Sequence, residues 1–201
     1  MIYPILMSAP MVLAILAGRK TQTRRLWRGQ WTKVQPGDRL WVRESGWQPK
    51  SDVTIRDLRE GADTWPKWVY DADGPNDDDT DNFREWGWKR RPSIHMPRWA
   101  SRLTLRVTKV RRQRLWDISE RDCKAEGVRR FVRLAPKHEP ERQYASRQWG
   151  IEDGRYVKPM AAFQAAWEAL NATRAPWASN PEVAAISFEA VRENVDKAVK
   201  E

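Results

Sequence analysis

The feature that most constrains the fold is an alternation of apolar and polar side chains over residues 102–109. Leu103, Leu105 and Val107 alternate there with Arg102, Thr104, Arg106 and Thr108. Because successive side chains of a β-strand point to opposite faces, the segment predicts a strand with one face in a core and the other face cationic.

Other patterns predict a mixture of short strands and short helices. Strands are expected at residues 2–7, 40–44 and 184–188, and helices follow Ser8, follow Ser119 and cover 159–170. Gly18 and Gly127 are expected to end the first two helices, which places Glu126 at a helix end. The fold class is therefore α+β, with a small curled sheet or barrel and short flanking helices.

The length of 201 residues favours one domain with elaborations. We assign residues 1–188 to this domain, with an insertion at 51–88, and residues 189–201 to a polar helical tail. The insertion has a net charge of −7 and contains a run of aspartates, which predicts a solvated acidic loop. A calcium loop is disfavoured, because the run lacks the central Gly and the terminal Glu of an EF-hand.

The net charge of +10 points to polyanionic partners. Residues 1–50 and 89–133 have net charges of +7 and +11, so RNA or single-stranded DNA is expected to bind through these two blocks. The uncharged residues 1–18 are interrupted by Pro4, Ser8 and Pro10, which predicts core rather than a membrane anchor.

Cys123 is the single cysteine, and His95 and His138 are the only histidines. No disulfide framework and no Cys/His zinc site can be built from them, so we expect no metal and no cofactor. A reducing compartment fits this usage, and we expect a cytoplasmic protein.

The densest polar segment is residues 18–25, which we interpret as a loop after the first helix. It holds four cations and two hydroxyls in eight residues, a composition suited to wrapping phosphates. It is not a P-loop, because Gly18 and the Lys20-Thr21 pair do not complete the Walker spacing.

This segment resembles the signature G-x-K-x-x-x-x-R of the ASCH domains, which are similar to the PUA domains that bind modified RNA. Gly18, Lys20 and Arg25 match it, and Thr23 stands where the family often has Glu. Residues 36–44, 91–102 and 117–128 are similar to three further blocks of phage-type ASCH proteins. The resemblance implies a PUA-like curled barrel over most of the chain outside 51–88, 129–158 and the tail.

One branch of that family removes the acyl group from N4-acetylcytidine with a Lys, a Thr three residues later and a distant Glu. The resemblance implies that Lys20, Thr23 and Glu126 are catalytic. Cleaving an amide needs a nucleophile, a proton acceptor and a donor for the leaving amine. We expect Lys20, with its pKa lowered by neighbouring cations and partial burial, to activate Thr23 or a water while Glu126 shuttles the proton. Arg24 or Arg25 would stabilise the oxyanion.

Each of these residues also has a purely structural interpretation. Lys20 would be solvated or contact phosphate, Thr23 would satisfy backbone groups, and Glu126 would neutralise an arginine near a helix end. Further candidates for binding a modified nucleoside or nucleobase are Glu44, His95, Arg98 and Trp99. Trp99 is the first choice for a stacking surface, and Trp41 and Trp47 are the next choices.

Three functions therefore remain open at this point. The first is an amidohydrolase acting on acylated cytosine, and the second is a noncatalytic RNA- or DNA-binding module of PUA-like type. The third is an ASCH-type ribonuclease, which is the weakest because two histidines supply few acid-base groups.

Overall fold

The computed structural model describes residues 1–49, 67–74, 77–85, 87–132, 142–145 and 158–198, of which residues 77–80, 129–132 and 142–145 are described by their backbone alone. The helices are α1 Ala9–Leu16, α2 Asp77–Glu85, α3 Glu120–Ala125 and α4 Pro159–Asn171. The strands are β1 Ile2–Leu6, β2 Gln22–Leu26, β3 Arg39–Arg43, β4 Gly46–Pro49, β5 Val69–Tyr70, β6 Trp88–Arg91, β7 Thr104–Arg114, β8 Arg129–Val132, β9 Arg142–Ala145 and β10 Glu182–Val191.

The central sheet has five strands in the order β1-β3-β7-β10-β2. β1 and β3 are parallel, and the other three pairs are antiparallel. A second sheet has the order β5-β4-β6, and β8 pairs with β9. The mixed α+β class is thus confirmed.

A closed barrel is not formed by the strand pairs of the described residues, in which β1 and β2 are the two edges of the central sheet. These edges nevertheless face each other. Arg25 on β2 donates from Nη2 to the backbone oxygen of Leu6 on β1 at 2.8 Å, and Gln30 donates from Nε2 to the oxygen of Pro4 at 2.9 Å. Side chains therefore bridge the gap between the edges where backbone pairing would close a barrel.

The burial of alternate apolar side chains confirms the predicted strand β7. Leu103, Leu105 and Val107 are buried, whereas Arg106 and Lys109 are exposed. One cluster of apolar side chains lies around α1 and the central sheet, and a second joins α3 to α4. The predicted helix over 159–170 is confirmed within one residue, and the apolar face of α1 lies in the core.

Three predictions about local structure are wrong. Residues 22–26, expected in a loop, form β2 because they pair with the buried strand β10. The acidic insertion is not a loop throughout, since residues 77–85 form α2 with aspartates at its N-terminal end, where negative charge stabilises a helix. Residues 189–198 of the tail are not helical, since β10 continues to Val191 in pairing with β7 and no helix follows over 192–198. The rest of the insertion over 51–66 and the tail over 199–201 lie outside the described residues.

None of the helices in the described ranges is long and apolar enough to cross a lipid bilayer.

Candidate active site

Lys20 enters the interior of the molecule directly after α1. Gly18 adopts a φ of 68°, a left-handed conformation that ends the helix, and the amides of Arg19 and Lys20 both donate to the oxygen of Ala14. The following amide, of Thr21, donates to the oxygen of Ala125 at 2.8 Å. This turn fixes the Lys20 segment against the end of α3, and Lys20 is 1% exposed.

The position of Glu126 directly after α3 is set by the residues that begin and end this helix. Ser119 and Asp122 form a reciprocal capping box at its start, and Gly127, with a φ of 95°, ends it. A carboxylate at this position is 1% exposed and points toward β2. The interpretation of Ser119 as a helix start is confirmed.

The structure brings Lys20 and Glu126 together across 106 residues. Lys20 Nζ lies 2.8 Å from Glu126 Oε2, and it also donates to the backbone oxygens of Gln22 at 2.9 Å and Glu126 at 3.1 Å. The other carboxylate oxygen, Oε1, accepts a hydrogen bond from Arg24 Nη1 at 2.9 Å. Glu126 therefore neutralises an arginine, as its structural interpretation predicts, and also contacts the candidate catalytic lysine.

Thr23 is buried but is not joined to this pair. Arg24 Nη1 donates to Gln22 Oε1 at 2.6 Å, so these two side chains share one face of β2. Thr23 lies between them and faces the other side of the strand. Within the described residues, no hydrogen bond connects its hydroxyl to Lys20 or Glu126.

A network of ion pairs extends from Lys20 and Glu126 to Asp122 and Arg111, whose contacts the sequence analysis did not predict. Arg24 Nη2 lies 3.0 Å from Asp122 Oδ2, and Arg111 Nη2 donates to Asp122 Oδ1 at 2.8 Å. Burial disfavours ionisation of Asp122, but the hydrogen bond from Arg111 and the charge of Arg24 lower its pKa overall. Gln22 and Arg24 are two positions apart. This spacing is the sequence signal that would have placed their side chains on one face of a strand.

Burial is the main influence on the amine of Lys20. Desolvation lowers the pKa of Lys20, the adjacent Glu126 partly raises it, and the charges of Arg25 and Arg24 lower it further. The pKa is thus lowered as the sequence analysis expects, but burial is complete and outweighs the neighbouring cations.

A cleft of about 650 Å³ opens along the gap between β1 and β2. Its volume is typical of a site for one small ligand. Glu126 and five arginines lie on its wall, namely Arg24, Arg25, Arg28, Arg43 and Arg174. Lys20 contacts Glu126 from behind this wall and borders a separate cavity of about 370 Å³. Of the three residues implied to be catalytic, Glu126 is therefore the one on the wall of the larger cleft.

Two aromatic side chains of α4 contribute to the apolar lining of the cleft. Phe163 and Trp167 are buried on its wall, and the guanidinium of Arg24 lies 5.7 Å from the centre of the Phe163 ring. Trp31 also lines the cleft, with the Arg25 guanidinium 5.8 Å from its ring centre. Neither these aromatics nor Arg28, Arg43 and Arg174 were identified from the sequence, because they converge only through the placement of α4 and the sheet edges.

The other sequence-predicted residues lie elsewhere. Glu44 is buried and paired with Arg102 at 2.9 Å, rather than with the Lys20 segment. Arg98 pairs with Asp196 at 2.6 Å on the surface. His95 and Trp99 are exposed, and neither is on the cleft wall, although Ser93 and Ile94 are. Trp41 and Trp47 are buried.

In comparisons with protein-family models, with curated proteins and with solved structures, no match to the chain was found.

Proposed function

We propose that the protein is an amidohydrolase that removes the acyl group from N4-acylated cytosine, as in N4-acetylcytidine. The observation that supports this most is the buried contact of 2.8 Å between Lys20 and Glu126, whose carboxylate borders the cleft. Two of the three groups implied by the resemblance to ASCH amidohydrolases thus contact each other, and one of them, Glu126, lies on the wall of the cleft. The PUA-like barrel is part of the same proposal, supported by the bridged edges of β1 and β2.

The reaction begins when a water attacks the acyl carbonyl carbon. Its proton moves to Glu126 and, through the hydrogen bond to Nζ, to a neutral Lys20. The lowered pKa of Lys20 makes this neutral form accessible. Arg24 or Arg25, both on the cleft wall, stabilises the oxyanion of the tetrahedral intermediate.

The second step breaks the bond between the carbonyl carbon and N4. The bonding electron pair goes to N4, and the proton held by the Lys20–Glu126 pair passes through Glu126 to the same nitrogen. The products are the free exocyclic amine and a carboxylic acid. Water is the attacking group in this scheme, because Thr23 is not among the residues on the wall of the cleft.

A noncatalytic polyanion-binding module is the second candidate, and the arginines of the cleft favour it. Outside the cleft, however, five of the fifteen basic residues in the block 89–133 are neutralised. Ion pairs with carboxylates occupy five of its arginines, Arg90, Arg98, Arg102, Arg111 and Arg112. This block consequently offers less free positive charge to RNA than its composition predicts.

The ribonuclease has no such observation in its favour. His95 is exposed outside the cleft wall, and His138 lies outside the described residues.

The test is to incubate purified protein with N4-acetylcytidine and to quantify cytidine and acetate by chromatography. We expect equal amounts of the two products from the wild-type protein, loss of at least a hundredfold in kcat/KM for Lys20→Met, and a change below fivefold for Thr23→Val. Lys33→Met, at an exposed lysine away from the cleft wall, is the control. Unchanged turnover in Lys20→Met would refute the proposal. A large loss of kcat/KM in Thr23→Val would indicate that the Thr23 hydroxyl, rather than water, is the nucleophile.

A further inference from the structure

The arginines on the cleft wall have few carboxylate partners. Of the thirteen arginines outside the cleft whose side chains the structure describes, six form ion pairs with carboxylates, namely Arg84, Arg90, Arg98, Arg102, Arg111 and Arg112. On the cleft wall, Arg24 is paired with Glu126 and Asp122. For the remaining four, Arg25, Arg28, Arg43 and Arg174, the described part of the chain supplies no carboxylate within 4.0 Å.

Two of these four are held in place by neutral groups. Arg25 donates to the backbone oxygen of Leu6, and Arg43 donates to the backbone oxygen of Ile94 while its guanidinium lies 5.1 Å from the centre of the Trp41 ring. The Nε atoms of both arginines are buried with no hydrogen-bond partner among the described residues. These contacts orient the guanidinium groups without cancelling their charge.

The cleft has a buried inner end and an exposed outer end. Arg24, Glu126 and Phe163 are buried at its inner end, whereas Arg28 and Arg174 are exposed. Burial lowers the pKa of Arg25 and of Arg43, because loss of hydration disfavours their charged forms, and the charge of Glu126 partly opposes this at Arg25. Guanidinium groups bind phosphate oxygens through paired, charge-assisted hydrogen bonds, and phosphate is the dianion that such a cluster fits.

We propose that the substrate is a nucleotide: an N4-acylated cytosine whose ribose bears a phosphate, with the base at the inner end of the cleft and the phosphate between Arg28 and Arg174. This inference rests on the proposed function for the identity of the base and on the uncompensated arginines for the phosphate. A mononucleotide is favoured over a polynucleotide because the cleft has the volume of a single-ligand site.

The first experiment compares kcat/KM for N4-acetylcytidine with that for its 5′-monophosphate in the full-length protein. We expect the nucleotide to be preferred at least tenfold at low salt, and the preference to fall as salt rises. In the double variant R28Q/R174Q, the ratio of the two kcat/KM values is expected to fall about tenfold or more. R112Q, which removes an exposed arginine outside the cleft, should keep the wild-type ratio.

The second experiment measures binding without turnover, so that the two proposals fail separately. Cytidine 5′-monophosphate and cytidine are titrated calorimetrically into the wild-type protein and into R28Q/R174Q. Tighter binding of the monophosphate that the double variant abolishes supports the phosphate site even if no acylated substrate is hydrolysed.

Three outcomes would overturn the inference. The first is equal binding of cytidine and its monophosphate. The second is a double variant that loses activity on both substrates without a change in the ratio of the two kcat/KM values. The third is an acetylated oligoribonucleotide that is turned over faster than the mononucleotide. The last result would identify a polymer as the substrate.

Discussion

Lys20 and Glu126 form a fully buried ion pair, with Nζ and Oε2 separated by 2.8 Å and both side chains no more than 1% exposed. A buried pair of this kind contributes little to stability compared with apolar packing, because both groups lose their hydration. A buried pair of this kind with one member, Glu126, on the wall of a cleft is the pattern expected of a functional site.

Removing one member of the pair should destabilise the protein more than removing both. We expect Lys20→Met to cost about 3 kcal/mol in the free energy of unfolding, since it removes one of the two cations that the described residues pair with the buried Glu126. The double variant Lys20→Met with Glu126→Gln should cost less than the sum of the single variants. Urea unfolding of the four proteins measures this coupling, and strict additivity would contradict it.

Activity should rise with pH. The neutral amine of Lys20 is the proton acceptor, and burial lowers its pKa below the ordinary value of 10.5. The fraction of neutral Lys20 therefore grows as pH increases through the lowered pKa, and kcat/KM for N4-acetylcytidine should reach its plateau before pH 10.5. A profile that falls between neutral and alkaline pH, without unfolding, would be incompatible with a neutral lysine.

Asp122 should stabilise the protein at neutral pH and lose this effect in acid. Its pKa is lowered in the folded state, so its contribution is present above the ordinary value of 3.8 and disappears as pH falls through the lowered pKa. Asp122→Asn, which keeps an oxygen for the cap of α3, should cost about 1 kcal/mol at pH 7. The difference from wild type in thermal or urea unfolding should shrink below pH 3.8; a constant difference would mean that the charge is irrelevant.

The thiol of Cys123 should be inert in the folded protein. Burial is the main cause that raises the pKa of Cys123 to about 12, with Arg24 opposing and Glu126, Asp122 and Glu120 adding to it. A thiol reagent at pH 8 should leave the native protein unmodified and titrate one thiol per chain in guanidinium chloride. Rapid native labelling would show that α3 is not packed as described.

Part of this architecture follows from short-range patterns. The alternation at Leu103, Leu105 and Val107 predicts β7, and the Ser119 and Asp122 pair predicts the start of α3, because both depend on local geometry. The meeting of Lys20 and Glu126 was implied by the resemblance to ASCH domains. No local pattern joins residues 106 positions apart.

The remainder depends on contacts that are remote in sequence. The polar residues 22–26 form β2 only because β10 offers a buried partner, and the spacing of Val191 and Val195 does not produce a helix because Val191 pairs with Thr104 on β7. Arg174 joins the cleft through the placement of α4, which no spacing in the sequence encodes.

The central claim is that the carboxylate of Glu126 handles the proton during hydrolysis of an N4-acyl group. The most direct test is the rate of cytidine release from N4-acetylcytidine by Glu126→Gln, compared with Glu120→Gln, which makes the same change at an exposed position of the same helix. We expect at least a hundredfold loss for the first variant and wild-type turnover for the second. Wild-type turnover by a folded Glu126→Gln protein would contradict the claim.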